Sequence, residues 1–321
     1  MPTFPNAVEF DFATRQDRVI SLEEVRGACE RGLSCWVDLD IADHAAAGAA
    51  LAALGVHPMA ISQALEHPLA GRHDVYDDSI HASLTALELA DGRVCESQLQ
   101  LILMEGLVIT LHQGPLSVMD QVREGYQTFF RRFAQSLGFL LFDISGRLIN
   151  GYRVAIRHLE DQVERIQSGV FTCADDTIIN DVAELTFELI VVRKTVLSSR
   201  EVLDELATRR STAVSPTTQP YLENMVGTLE RLAADLSVER EILAETLSLH
   251  LGIVSHRTNR VINRLTIINA FFLPLTFLCG VYGMNLKLPE FEWNYGYLYF
   301  WCLAMSVVAG LLVLLRRMKW L

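Results

Sequence analysis

The chain has 321 residues, 39 carboxylates and a formal net charge of −12, yet half of it is hydrophobic and its mean hydropathy is +0.25. That average joins two unlike regions: residues 265–321 carry Lys287, Arg316, Arg317 and Lys319 against Glu290 and Glu292, a balance of +2, which leaves −14 on residues 1–264. An acidic body of this kind argues against nucleic acid as the partner.

In chain order, MPTFPNAVEF has no basic segment leading into an apolar run, so no signal peptide is predicted and the large N-terminal part is expected to stay in the cytoplasm. Residues 1–115 mix strand and helix signals. CWVDLD, HASLTALEL and LQLILMEGLVITLH carry apolar and β-branched clusters, with Asp91-Gly92 placed as a hairpin turn. Ser21 and Glu24 have capping-box spacing, and Ala45 to Leu54 is rich in helix formers. The prediction is an α+β domain, a mixed sheet with flanking helices. Cys29, Cys35, Cys95, Cys173, Cys279 and Cys302 are scattered without C-x-x-C spacing and read as core or reducing-compartment thiols.

Residues 116–219 are predicted as a long-helix region, with apolar residues at three and four spacing over 116–170 and 176–207. The stretch ATRRSTAVSPTTQP, 207–220, breaks it. Beyond lies a stalk, 220–264, in which Leu222, Met225, Leu229, Leu232 and Leu236 step by three and four and Leu243, Leu247 and Leu251 continue the series. A helix from 221 to 282 would run about 90 Å at 1.5 Å per residue, too long for an ordinary globular helix.

Two membrane spans are predicted. Arg264 and Lys287 bracket 22 uncharged residues, and Glu292 and Arg316 bracket 23; about 20 suffice to cross the hydrocarbon core. The first span is set at 265–285, the loop at 286–294, the second span at 295–315 and a basic tail at 316–321. Arg257, Arg260 and Arg264 precede the first span and Arg316, Arg317 and Lys319 follow the second, so both termini are expected on the cytoplasmic side of a cell (inner) membrane. Trp293, Tyr295, Tyr297 and Tyr299 at one end and Trp320 at the other suit the interfacial belts.

Stepping back by three and four from Thr276 gives Leu273, Asn269, Thr266, Ile262, Asn259, Ser255, Gly252 and Ser248, a series without a charge. Two readings stay open. Several copies packed around water would present neutral oxygens to a hydrated cation, or the same groups hydrogen-bond neighbouring helices. A pore demands oligomerisation, and helical periodicity places Arg257, Arg260 and Arg264 roughly 100–160° away from Asn259. Pro274 frees the Ala270 carbonyl, for a lumen-facing oxygen or for a packing kink.

The first span ends LTIINAFFLPLTFLCGVYGMN, and the loop continues LPEFEWNYGY before the terminal RRMKWL. This closely resembles the CorA family of divalent-cation transporters, in the metal ion transporter superfamily that also holds the ZntB zinc transporters. The detailed likeness covers about 220–321. The resemblance implies a funnel-shaped homopentamer whose first spans line a pore, with Tyr282, Gly283, Met284 and Asn285 as the selectivity filter at the outer mouth. Asn285 would meet the cation through its first-shell water, which suits Mg²⁺ because that ion dehydrates reluctantly. It further implies a polar ring at Thr276, another at Asn259, and hydrophobic constrictions at Leu273 and Leu265. Glu290 and Glu292 would ring the mouth, either attracting cations or forming a solvated loop. Asn285 lies nine residues from Thr276, half a turn out of phase, so the chain has to turn at Gly283.

Asn224, beside Glu223, stands where the family has a regulatory aspartate; Ser248 replaces an acidic stalk position, and Asp91 matches the other regulatory partner. Mg²⁺ is the expected cargo, with Co²⁺ and Ni²⁺; Zn²⁺, with proton coupling, is the alternative. His250 and His256 are six residues apart and face opposite sides of one helix, and His57, His67 and His73 lack ligand spacing. No phosphate loop, nucleophile elbow or H-E-x-x-H is present. The expectation is a passive transporter with no enzyme activity and no covalently bound cofactor; its partners are its own copies, divalent cations and the lipid bilayer. A membrane-tethered sensor would show an unbroken apolar stripe instead of the Asn and Thr rings.

Overall fold

The computed structural model describes residues 7–66, 71, 73–76, 79–172, 177–208, 216–284 and 293–317. It divides into two compact units, Met1–Thr246 and Leu247–Leu321.

The first unit is built on one mixed sheet. Strands β1 (Ala7–Asp11), β2 (Gln16–Ile20), β3 (Ser34–Asp40), β4 (His73–Tyr76), β5 (Ser79–Ala90), β6 (Arg93–Met104) and β7 (Leu107–His112) lie in the order β2-β1-β3-β7-β6-β5-β4. β3 and β7 are parallel and the remaining pairs antiparallel. The Asp91-Gly92 turn forms as read from sequence: both residues have positive φ, 51° and 75°, between the paired Ala90 and Arg93. That is the backbone twist a two-residue hairpin needs, and Asp and Gly tolerate it.

Strands β5 and β7 are buried almost continuously because helices cover both faces of the sheet. On one face lie α1 (Leu22–Glu30), α2 (His44–Ala53) and α3 (Pro58–Glu66), packed around Val25, Val37, Leu51, Ala60 and Ile109. The Ser21–Glu24 capping box is present: the Glu24 carboxylate accepts from the Ser21 amide at 2.9 Å and hydroxyl at 3.2 Å. On the other face lie α4 (Ser117–Phe133), α5 (Gly138–Thr172) and α6 (Thr177–Thr208). α4 and α5 are separate helices although 116–170 reads as one periodic stretch. Ala134 leaves helical geometry at ψ 132°, and the break lets Phe130 and Phe139, 5.8 Å apart, both pack against Phe10, with ring centroids at 4.9 and 5.4 Å.

α5 crosses β5 closely. A Cβ on Gly151 would lie 2.8 Å from the Leu87 carbonyl oxygen, and the adjacent Tyr152, fully buried, donates its hydroxyl to the Thr85 carbonyl at 2.5 Å and sits 2.7 Å from Ser199 Oγ on α6. Burial pushes the Tyr152 phenol far above its ordinary value. Because the obstacle is backbone, Gly151→Ala is expected to cost about 1–3 kcal/mol by forcing α5 off the sheet. A lowered thermal midpoint of the detergent-solubilised protein checks this, and an unchanged midpoint would contradict the close approach.

Helix α7 runs Gln219–Gly283, 65 residues without interruption. In its first-unit part the buried positions are Leu222, Val226, Leu229, Ala233, Leu236 and Leu243. This stripe keeps Leu222, Leu229, Leu236 and Leu243 of the series read from sequence and adds Val226 and Ala233, while Met225 and Leu232 are only half-buried and Leu251 is exposed. α6 supplies the reason, since Arg200 pairs with Glu230 at 2.7 Å and Arg193 Nε donates to Ser237 Oγ at 2.9 Å. The smaller Val226 and Ala233 therefore face the packed side.

Candidate cation pathway

The second unit holds the rest of α7 and α8 (Gly296–Arg317). Both are long and apolar enough to cross a membrane, and among the described residues no other helix of 18 residues or more is. Their apolar windows are almost entirely uncovered: Leu273 is 72% exposed and Phe277 68%. Such surface is unsustainable in water over this length and suits lipid or further copies of the chain.

From Ile267 onward the exposed positions of α7 distinguish its faces. Ser248, Gly252, Ser255, Asn259, Ile262, Thr266, Asn269, Leu273 and Thr276 are all exposed, as is Leu265. Partly covered positions fall on a different side, at Ile267, Ala270, Phe271, Pro274, Leu275, Leu278, Val281 and Tyr282. On α8, Gly296, Phe300, Leu303, Ala304, Val307, Val308, Leu311 and Leu315 form the matching covered stripe. Tyr282 meets Phe300 edge to face, centroids 5.2 Å apart. Between 267 and 282 Asn269, Leu273 and Thr276 thus lie on the side of α7 not covered by α8, with Ile268, Phe272 and Phe277 beside them, whereas from Val254 to Thr266 every position is exposed, Arg257, Arg260 and Arg264 included.

The threonines carry a detail that sequence alone does not. Thr266 Oγ1 donates to the Ile262 carbonyl at 2.8 Å and Thr276 Oγ1 to the Phe272 carbonyl at 2.7 Å. With its single proton engaged one turn back, each hydroxyl offers only lone pairs outward. A hydrated cation presents the hydrogens of its first-shell water, so acceptor-only oxygens are the complementary surface. Pro274 sits inside the helix without ending it.

At its end α7 tightens, with the Met284 amide donating to the Val281 carbonyl at 3.3 Å. Gly283 is the last helical residue; nothing stands within 4 Å of where a Cβ would lie, and Met284 is exposed. Asn285, Lys287, Glu290 and Glu292 lie outside the described residues, as do His67 and Trp320. Trp293 and Tyr299 pack at 6.0 Å and Tyr297 and Trp301 at 6.4 Å at the start of α8, a cluster of amphipathic rings of the type that marks a membrane interface.

Of the described regulatory and zinc candidates, Asp91 occupies the β5–β6 hairpin tip, and Glu223 and Asn224 are exposed on α7. His250 is buried and His256 exposed. Among the described residues no group of three or more His, Cys, Asp or Glu is placed to hold a metal ion. One acidic group stands out on the stalk: partial burial, reinforced by the charges of Glu160 and Asp235, holds the Glu239 carboxyl above its ordinary value.

One buried ionic cluster in the first unit has no signal in the sequence. Asp38, at the end of β3, has a side chain 2% exposed and is paired with Arg123 of α4. The Thr110 hydroxyl donates to Asp38 Oδ1 at 2.5 Å and accepts from Trp36 Nε1 at 3.1 Å. His112 places Nδ1 2.6 Å from the Gly114 carbonyl and Nε2 2.7 Å from Arg123. Burial pushes the Asp38 carboxyl up, but His112, Thr110 and the Arg123 charge together outweigh it and hold it below the ordinary value. The parallel β3–β7 register, with Asp38 opposite Thr110 and Asp40 opposite His112, brings these residues together across more than 70 positions of sequence.

Comparison with known proteins agrees with this architecture. Residues 33–317 match the family described as CorA-like Mg²⁺ transporter protein. The cobalt/magnesium transport protein CorA of Thermotoga maritima is 26% identical over 273 residues, 83% of this chain and 77% of that one. Two solved structures share the fold. The complete CorA magnesium transporter from Methanocaldococcus jannaschii superposes with a TM-score of 0.83 at 18% identity, covering all of both chains. The ZntB cytoplasmic domain from Vibrio parahaemolyticus gives 0.62 at 13% identity, over 79% of this chain and 98% of that one. The mixed sheet, the unbroken stalk helix and the two apolar C-terminal helices are those of a divalent-cation transporter, and the chain belongs to the CorA-like Mg²⁺ transporter family.

Proposed function

We propose that this chain is one subunit of a homopentameric pore in a cell (inner) membrane, with both termini cytoplasmic, that admits Mg²⁺, and also Co²⁺ and Ni²⁺, passively. The observation that carries this reading is the uncharged polar stripe of α7, exposed in a single chain, with Thr266 and Thr276 turned into outward-facing acceptors. Neutral oxygens suit a hydrated divalent ion that must enter and also leave, whereas carboxylates at the same depth would trap it. Leu265 and Leu273 interrupt the stripe as apolar rings that close the path by dewetting. Tyr282 to Asn285 form the outer filter, and Glu290 and Glu292 raise the local cation concentration at the mouth. An inside-negative potential drives influx with about 2.3 kcal/mol per charge per 100 mV, doubled for a divalent ion.

Zn²⁺ as cargo is the second reading, and Asn224 is the residue that favours it. An amide at the position of a regulatory aspartate removes the charge that Mg²⁺ sensing needs. Liposomes reconstituted with the full chain and loaded with a metal-sensitive dye decide between the ions. Mg²⁺ entry that survives competing Zn²⁺ supports the first reading, Zn²⁺ entry alone supports the second, and flux of neither sinks both. Mass measurement in detergent is expected to give five chains; a stable dimer would contradict the pore.

A further inference from the structure

Cys29 and Cys35 show no motif spacing, but the fold brings their thiols together. Cys29 is in the last turn of α1 and half-exposed; Cys35 opens the buried part of β3. Each thiol bonds the partner of the other's backbone. Cys29 Sγ donates to the Gly106 carbonyl at 3.7 Å, the same oxygen that accepts the Cys35 amide at 2.8 Å. Cys35 Sγ donates to the Val25 carbonyl at 3.9 Å, the oxygen one helical turn before Cys29. This crossed pair of contacts places both sulfurs at the α1–β3 seam, each beside the other's backbone. Cys29 is partly exposed and Cys35 buried, the order of accessibility of an attacking and a resolving cysteine.

We propose that Cys29 and Cys35 form a redox-active dithiol that closes reversibly to a disulfide by exchange with a low-molecular-weight disulfide such as oxidised glutathione. The Cys29 thiolate attacks one sulfur of the oxidant; the Cys29–glutathione bond forms, the oxidant's S–S bond breaks, and one glutathione thiolate leaves. Cys35 then gives its proton to solvent and attacks Cys29 sulfur, expelling the second glutathione thiolate. Two protein thiols are oxidised by two electrons and one disulfide is reduced to two thiols. Closing the disulfide requires the two sulfurs, both held at this seam, to reach a bonding distance of about 2.05 Å.

The surrounding charges are consistent with Cys29 as the attacking group. Interaction with the Cys35 side chain lowers the Cys29 thiol to about 7, against its desolvation and the nearby Glu30 carboxylate. The same interaction and burial raise Cys35, with Glu9, its cross-strand neighbour on β1, adding to the rise and Arg31 opposing it. Glu9 is itself paired with Arg18 at 2.7 Å and Arg31 at 3.5 Å.

Arg31 lies between the two cysteines, so trypsin separates them into peptides 27–31 and 32–72. The full-length protein in detergent, equilibrated with mixed oxidised and reduced glutathione, quenched in acid and alkylated, should yield these peptides joined, and separate again after dithiothreitol. Cys35→Ser should halt at a glutathione adduct on Cys29, and Cys29→Ser should leave Cys35 unmodified. Alkylation of Cys29 should be half-maximal near pH 7 in the wild type and move toward the ordinary thiol value of about 8.5 in Cys35→Ala. Peptides that stay separate while exposed Cys95 takes up glutathione would overturn the proposal. So would an adduct on Cys29 that never resolves in the wild type.

Discussion

Asn285→Ala is expected to reduce Mg²⁺ uptake into liposomes by about 100-fold or more, to the background of empty vesicles, while the five-chain mass is kept. On the proposed pathway each Asn285 amide accepts from the water shell of the ion, and a hydrogen bond to a charged group is worth about 1.5–3 kcal/mol, so its loss from every subunit empties the filter. Thr276→Val tests the described part of the path. Valine keeps the branched shape, but removes both the bond to Phe272 and the outward lone pairs, and uptake should fall about 10-fold. The two variants separate a filter from a helix-packing role. If Asn and Thr served only to hydrogen-bond adjacent helices, the substitutions would loosen assembly before they altered ion selectivity. Wild-type flux with Asn285→Ala would remove the filter from the proposed function.

Asp38→Ala is expected to destabilise the first unit by about 3 kcal/mol, because Arg123 and His112 would keep their burial and lose the carboxylate they face. Asp120, 2.9 Å from Arg123 Nη1, retains part of the pairing and limits the loss. The pH dependence has a definite sign. The Asp38 carboxyl is held below its ordinary value in the folded state, so its contribution is fully present above the unfolded value of about 3.9 and is lost as pH falls through the lower folded value. Burial alone would lower the His112 imidazole, but its bond and ion pair with Asp38 hold it above its ordinary value, a contribution present below about pH 6.5 and lost as pH rises through the higher folded value. The difference between wild type and Asp38→Ala in thermal midpoint should therefore be largest between about pH 4 and 6.5 and shrink on either side. A gap that widened from pH 6 to 8 would contradict the Asp38–His112 pairing.

Features set by neighbours in the chain were legible from sequence. The two spans follow from unbroken runs of uncharged residues, the stalk from its helical period, the Asp91-Gly92 hairpin from two residues that accept positive φ, and the α1 start from Ser21 and Glu24. The family likeness rested on a contiguous stretch, 265–285, for the same reason. The polar face of α7 could be written down by counting in threes and fours.

Other features required the chain to be brought back on itself. The stalk's buried stripe takes in Val226 and Ala233 rather than Met225 and Leu232 because α6 chose the side, and the periodicity of an apolar helix allows either. The break between α4 and α5 carries no proline or glycine; it exists because Phe130 and Phe139 both reach Phe10. Asp38 lies unmarked in the CWVDLD strand until the parallel β3–β7 register delivers Thr110 and His112 to it, and Cys29 and Cys35, which have no motif spacing, meet only when α1 folds onto β3. By itself the sequence determined the local elements, the membrane spans and the polar stripe, since each depends on residues within a few turns of one another. Only the tertiary structure decided which helix face is covered, where a buried charge finds its partners and which two thiols meet, because those outcomes depend on pairings between distant segments.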